Sequence, residues 1–290
     1  MLRFILALFC CAAFLRADDR LVVDDAAYVE TCTRAAEELF KVGKLVSFKT
    51  LRTQLTRAQC SLTLPAARKD KLPGPEVYRL LRESTVSVGA FFKCTRCKNW
   101  HFESSSGFVA ADGIVSTCHH VVDFKDARMK EGYLVVADAM GHVYPVTEVA
   151  ATNANSDTCL LRVPGLPLAP LALNPAAPVG ERIYCLSHPD GNHWMFTEGM
   201  LARYFINREA PDTGKPVAPA LYINVTAEYS PGSSGGPIVD ECGNVVGQVE
   251  SITTSLEEEK AGRGKTITSS FGMPLRICVS AEEIGKLIGK

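Results

Sequence analysis

The sequence predicts a β domain from about Thr85 onward, preceded by a short helical extension and closed by a helix. Three observations carry this. Short β-branched and apolar runs recur, among them Thr85 to Phe92, Tyr133 to Ala137, Leu221 to Val225 and Val245 to Val249. Turn signals such as Asp112-Gly113 separate them. Ser230 to Pro237 also packs three glycines, two prolines and three serines into eight residues, which predicts a tight, exposed turn between strands.

Composition sets the frame. The chain has 290 residues, 47% hydrophobic and 22% charged, which suits a globular protein with a sizeable core. A net charge of −1 gives no general attraction to nucleic acid or anionic lipid. Residues 1–17 read as a secretory signal peptide: Arg3, an apolar stretch from Phe4 to Leu15, then Ala17. That run is too short to span a bilayer, and none follows that could. The mature chain is therefore expected outside the cytoplasm, in a periplasm or the extracellular space, with no membrane span. Eleven cysteines become nine after cleavage, an odd number, so at least one thiol stays free or pairs between chains.

Residues 18–72 form the extension. Tyr28, Cys32, Ala35, Ala36, Leu39 and Phe40 predict a helix over 24–43, and Phe48, Leu51 and Leu55 a second near Ser47 to Ala58. Such helices must bury their apolar faces on the barrel, a partner or a second copy. Cys32 and Cys60 are candidates to staple them. Lys69 to Pro75 is the linker, and Glu76 to Glu83 a short helix.

Beyond the first strand lies Cys94-Thr95-Arg96-Cys97, with His101 four residues on. These residue types at this spacing make a partial zinc site without an evident fourth ligand. In an exported protein a local disulfide is the expected use, so no metal is expected. Gly107 to Val109 and Ile114 to Ser116 form a hairpin ending at His119-His120. Another follows over Tyr133 to Ala137 and Val143 to Ala150. Residues 164–179 connect two halves, Ile183 to Leu186 opens the second, and Met195 to Asn207 bends at Gly199. His188 and His193 are expected on surface loops. Glu209 to Pro219 reads as a cleft-rim loop, Glu257 to Lys265 as a charged loop, and Ser280 to Glu283 as a capping box.

The chemistry centres on Ser234. A serine on a rigid turn is a nucleophile only beside a base. Gly232 to Gly236 also fits the G-x-S-x-G elbow of α/β-hydrolases, which needs a histidine after the serine. All six histidines precede Ser234, so that reading fails and the order His, Asp, Ser remains. The amides of Gly232 and Ser234 can converge as an oxyanion hole. Among the acids, Asp138 sits at a hairpin turn and Asp123 on the surface. Asp157 heads the apolar strand Cys159-Leu160-Leu161 and can be partly buried.

Gly107-Phe108-Val109, Asp112 to Val115 and Thr117 to Val122 resemble the segment around the base histidine of trypsin-like serine proteases of the HtrA (Deg) type. Asp157 to Leu161 and Pro231 to Pro237 are similar to their acid and nucleophile segments. The resemblance covers roughly residues 76–290 and implies two six-stranded antiparallel β-barrels of chymotrypsin type. It also implies His120 as base ahead of His119, Asp157 as orienter, Ser234 as nucleophile, and Gly232 and Ser234 as oxyanion donors. It implies no cofactor, and protein or peptide substrates presented as unfolded or exposed segments. The strand after Gly243 lines the cleft in that family, which puts Glu250 at its mouth. Phe271 to Pro274 resembles the family's last barrel strand. Two departures stand out. The chain ends on the closing helix, so the family's PDZ module is expected to be absent. Ser233 also stands where digestive zymogens need an aspartate. Glu228, six residues before Ser234, occupies the base of the specificity pocket in trypsin-like enzymes, where a carboxylate favours Lys or Arg. The rival readings are a protease fold that binds peptides without cutting them, and an enzyme held latent by its N-terminal helices.

Overall fold

Strand β1 (Thr85–Cys94) shows how this chain builds its core. Val86, Val88, Ala90 and Phe92 alternate onto one face and fill the interior of the first half. Phe91 points the other way, into a second cluster that the N-terminal extension covers. The computed structural model describes residues 21–209, 216–253, 256–258, 269–271 and 273–289. The signal-peptide segment 1–17 lies outside them.

The extension packs on the β domain. Helix α1 (Asp25–Lys41) is capped by Asp24, whose carboxylate accepts the Ala27 amide at 3.0 Å. It buries Tyr28, Cys32 and Ala36, one face at helical spacing. Helix α2 (Phe48–Arg52) is shorter than expected. Phe48 and Leu51 join the interior of the first half. Beyond them Gln54 and Arg57 leave the helix to bond the backbone of Val149 and the carboxylate of Glu148. Helix α3 (Gly74–Arg82) leads into β1.

The remaining strands of the first half are β2 (Trp100–Ala111), β3 (Ile114–Thr117), β4 (Met129–Ala137), β5 (Val143–Pro145), β6 (Glu148–Asn153) and β7 (Thr158–Arg162). They form one antiparallel sheet in the order β5-β4-β1-β2-β3-β7-β6. Seven strands stand where six were expected, because the run Val143 to Ala150 is split. Pro145 has no amide proton to continue a ladder, so β5 stops there at the sheet edge. One-turn helix α4 (His119–Val122) follows β3.

The second half comprises β8 (Arg182–Ser187), β9 (Met195–Glu209), β10 (Pro216–Val225), β11 (Pro237–Asp240), β12 (Val245–Thr253) and β13 (Leu275–Ser280). These close into a barrel in the order β9-β10-β13-β12-β11-β8. The linking segment stitches the halves together: Leu171 donates to Val109 O at 2.8 Å, and Leu173 bridges to Val245. Helix α5 (Ala281–Lys286) closes the chain. The Cys60–Ser61 segment pairs with Ile288–Gly289 just beyond α5. No helix among the described residues is long and apolar enough to cross a membrane.

Several local expectations are corrected. Of the loop Glu209 to Pro219, residues from Pro216 belong to β10, and 210–215 lie outside the described residues. Within Glu257 to Lys265, Glu257 and Glu258 pair with a segment ending at Phe271. Residues 259–265 lie outside the described residues. The last barrel strand begins at Leu275, after Pro274, rather than at Phe271. Ser280 precedes α5 but makes no side-chain cap, and Glu283, the other half of the expected box, instead accepts the Leu221 amide at 2.7 Å. Neither expected disulfide forms; all nine described cysteines are free. Cys32 faces the β domain from α1, while Cys60 lies against Leu287 at the end of α5.

Replacing Leu134, fully buried in the first half, should cost about 2–5 kcal/mol in the Leu134→Ala variant. Urea unfolding measures this, and a loss under about 1 kcal/mol would contradict the assigned core.

Candidate active site

The register of β3 against β7 places Thr117 opposite Cys159. The residue before β7 therefore stands beside the first turn of α4. That residue is Asp157, 3% exposed, with a φ of +49°. Aspartate tolerates this left-handed conformation better than bulkier residues. Its two oxygens serve one neighbour: Oδ1 accepts the His120 backbone amide at 2.9 Å, and Oδ2 meets His120 Nδ1 at 2.6 Å. The pair fixes the imidazole with its proton on Nδ1, leaving Nε2 as the basic nitrogen. His119, the competing candidate, turns instead to Thr152, with Nδ1 at 2.8 Å from Oγ1. Asp138 takes a structural role, accepting the amides of Met140 and His142 at 2.9 Å each.

Cys118, His120 and Asp157 also lie close enough to hold a metal. The Cys118 thiol argues against that use. Burial, with the Asp157 charge nearby, pushes its pKa well up, and it donates to Val249 O at 3.2 Å.

Ser234 sits on a turn braced from three sides. The Gly235 amide donates to Val249 O at 2.8 Å. Ser106 donates its amide to Ser234 O at 2.9 Å and its hydroxyl to Gly232 O at 3.0 Å. Gly232 has a φ of +94°, and a Cβ there would lie 2.5 Å from His188 O, so only glycine fits. The Pro231 carbonyl accepts the Asp190 amide at 2.6 Å, and Ser230 holds the Asp190 carboxylate at 2.6 Å. In a trans peptide, N–H and C=O point opposite ways. The Gly232 amide is therefore aimed away from Asp190. Ser233 is buried and bonded to Ser187 at 3.0 Å. Ser234 Oγ lies 3.3 Å from Glu250 O, a long hydrogen bond.

Two cavities share Pro231 in their walls. One, of about 240 Å³, is lined by Ser234, Tyr229, Val249, Glu250 and Ile252 among others. The other is lined by His120 together with Glu103, Ser104, Ser105 and Gly232. Glu250 thus reaches the cleft, its carboxylate accepting from the Ser251 hydroxyl. Glu228 is not in the lining; its side chain is 70% exposed and paired with Arg276. Tyr229 takes the wall position instead, its hydroxyl donating to Ile277 O at 2.9 Å. Tyr229, Asp190 and Ser106 join the site without a sequence motif to mark them. Only Tyr229 carried a signal, its position next to the serine turn.

Residues 105–247 match the family model described as a trypsin-like peptidase domain. The mitochondrial serine protease HTRA2 of Bos taurus is 32% identical over 183 residues, covering 59% of this chain and 38% of that protein. A probable periplasmic serine endoprotease, DegP-like, of Pseudomonas savastanoi is 28% identical over 192 residues, 64% of this chain and 35% of its own length. The chain thus spans under two fifths of either relative. The active form of the Rv3671c protease of M. tuberculosis superposes with a TM-score of 0.54 at 22% identity, covering 78% of this chain and 92% of that one. The fold is the chymotrypsin type, and the resemblance to HtrA-type serine proteases is borne out.

His188 and His193 are buried, not on the surface. Helix α1 covers them: Asp25 contacts His193 Nδ1 at 2.9 Å, and Tyr28 packs on the His193 ring at 4.5 Å. His188 Nδ1 accepts the Trp194 amide at 3.1 Å. Burial, then the charge His193 would carry, pushes the His188 pKa from 6.5 to about 3. Burial lowers that of His193 too. Both therefore bind protons more readily in the unfolded chain. Their contribution to stability is complete above pH 6.5 and is lost as pH falls below it. Urea unfolding between pH 7 and 5 should show stability falling by up to ~1.4 kcal/mol per pH unit from His188, with His193 adding in the same direction. His188→Asn keeps an acceptor for Trp194 and should flatten that slope; an unchanged slope would contradict the assignment.

Proposed function

We propose that this chain is an exported serine endopeptidase that hydrolyses unfolded or exposed protein segments. One observation carries the reading. A buried carboxylate holds Nδ1 of His120 at 2.6 Å, and that imidazole lines a cavity whose wall includes Pro231 and Gly232 of the Ser234 turn. The relatives named as serine proteases support the reaction class, and the DegP-like relative, named as periplasmic, supports the location.

In this reading the Ser234 hydroxyl leaves Glu250 O, attacks the peptide carbonyl and gives its proton to His120 Nε2. Asp157 stabilises the resulting imidazolium without taking its proton. The amides of Gly232 and Ser234 hold the oxyanion. His120 then protonates the leaving amine, and water hydrolyses the acyl-enzyme by the same steps in reverse. No cofactor enters. The outward pairing of Glu228 with Arg276 leaves Glu250 as the carboxylate that this pocket presents to a substrate.

A latent state with the N-terminal helices in the cleft finds no support. No residue of α1 or α2 is among those lining either cavity. A fluorophosphonate probe should label the purified chain on Ser234 and leave Ser234→Ala unlabelled. Asp157→Asn should slow labelling by about 10⁴-fold through the wrong imidazole tautomer. Absence of labelling in the unmodified chain would favour the non-cutting peptide-binding reading.

A further inference from the structure

The tip of the β1–β2 hairpin carries chemistry that peptide hydrolysis does not use. Cys94 ends β1, and its amide donates to Asn99 O at 3.0 Å, closing a tight turn over Thr95 to Lys98. Lys98 takes a φ of +64°, which brings the chain back so that β2 starts at Trp100. The turn sets the exposed Cys97 beside β2: its Sγ lies 2.9 Å from His101 Nε2. The Arg96 amide points at Cys94 Sγ, at 3.3 Å. An N–H aimed at sulfur stabilises a thiolate. The two sulfurs and the imidazole nitrogen all lie within 4.8 Å of one another.

We propose that Cys94, Cys97 and His101 bind a zinc-class divalent metal ion, with solvent or an exogenous ligand in the fourth position. Zinc bonds to thiolate sulfur at about 2.3 Å and to imidazole nitrogen at about 2.0–2.1 Å, so tetrahedral ligand atoms stand roughly 3.5–3.8 Å apart. The observed separations, 2.9 Å between Cys97 Sγ and His101 Nε2 and under 4.8 Å for every pair, bracket that spacing. Two thiolates and a neutral imidazole balance a divalent charge, and soft sulfur selects zinc over magnesium or calcium. The His101 ring lies stacked on Phe92, 5.4 Å between centroids, which restricts its plane. Cys97 is exposed and His101 half-buried, so the open position faces water. From the metal, β2 runs to Ser104, which contacts His193 at 3.0 Å, and to Ser106, which braces the Ser234 turn. The ion would clamp the outer end of the strand that walls the cleft.

The test uses the full chain, purified with reductant, stripped by a chelator and titrated with cobalt(II), which reports thiolate ligation by absorption. One equivalent should bind with a sulfur-to-cobalt charge-transfer band, and zinc should displace it. Cys97→Ser and His101→Ala, both at the solvent-facing tip, should each weaken binding at least about tenfold. His120→Ala should leave it unchanged, which separates this site from the Cys118 cluster. Circular dichroism confirms that each variant folds. Absence of the charge-transfer band overturns the proposal, as does binding lost only in His120→Ala. Isolation of the chain with Cys94 and Cys97 joined as a disulfide overturns it equally.

Discussion

The contact between Asp157 and His120 is what the rest of the site depends on. A carboxylate with almost no solvent exposure must spend its lone pairs on protein donors. Asp157 gives both oxygens to one residue, fixing the backbone and the ring of His120 together. The two residues are distant in sequence, and the β3–β7 ladder brings them side by side. The strained φ of Asp157 is held by the turn around it, where Asn153 caps Asn155 and Ser156 meets Thr158.

The second half supplies the turn that must meet this imidazole, and polar bonds across the seam hold the halves in register. Ser116 donates to Gln248 at 2.6 Å in the buried interface, and Cys118 donates to Val249 O. Ser106 reaches from the first half to the Gly232 carbonyl and also accepts the His188 amide at 3.0 Å. Buried, satisfied polar groups of this kind specify one arrangement better than apolar packing does. Asp190 then sets the orientation of the Pro231 peptide, and through it the direction of the Gly232 amide. A single hydrogen bond in a loop outside the motif thus aims half of the proposed oxyanion hole.

The motifs were legible because each couples a residue type to a backbone demand. Gly232 needs a positive φ, and Asp157 heads an apolar strand that buries it. The β architecture was legible from alternation, and α1 from its apolar face. What could not be read was where separate elements dock. His188 and His193 stand in a turn-rich stretch that looks exposed; only the docking of α1, through Asp25 and Tyr28, buries them. Glu228 matched a family position, yet its side chain follows Arg276 outward. Cysteine pairing is hidden for a related reason: spacing says how far apart two thiols lie along the chain, not which way each side chain points. Pro145 was visible, but its consequence, a seventh strand, needed the sheet edge on which it sits.

The most direct test of the account is the tautomer of His120, read by nitrogen-15 NMR of histidine-labelled protein near neutral pH. The account predicts a His120 ring with its proton on Nδ1, hydrogen-bonded to Asp157 and shifted far downfield, and loss of that resonance in Asp157→Asn. A proton found on Nε2 in the unmodified chain would contradict it, because His120 could then not accept the proton of Ser234.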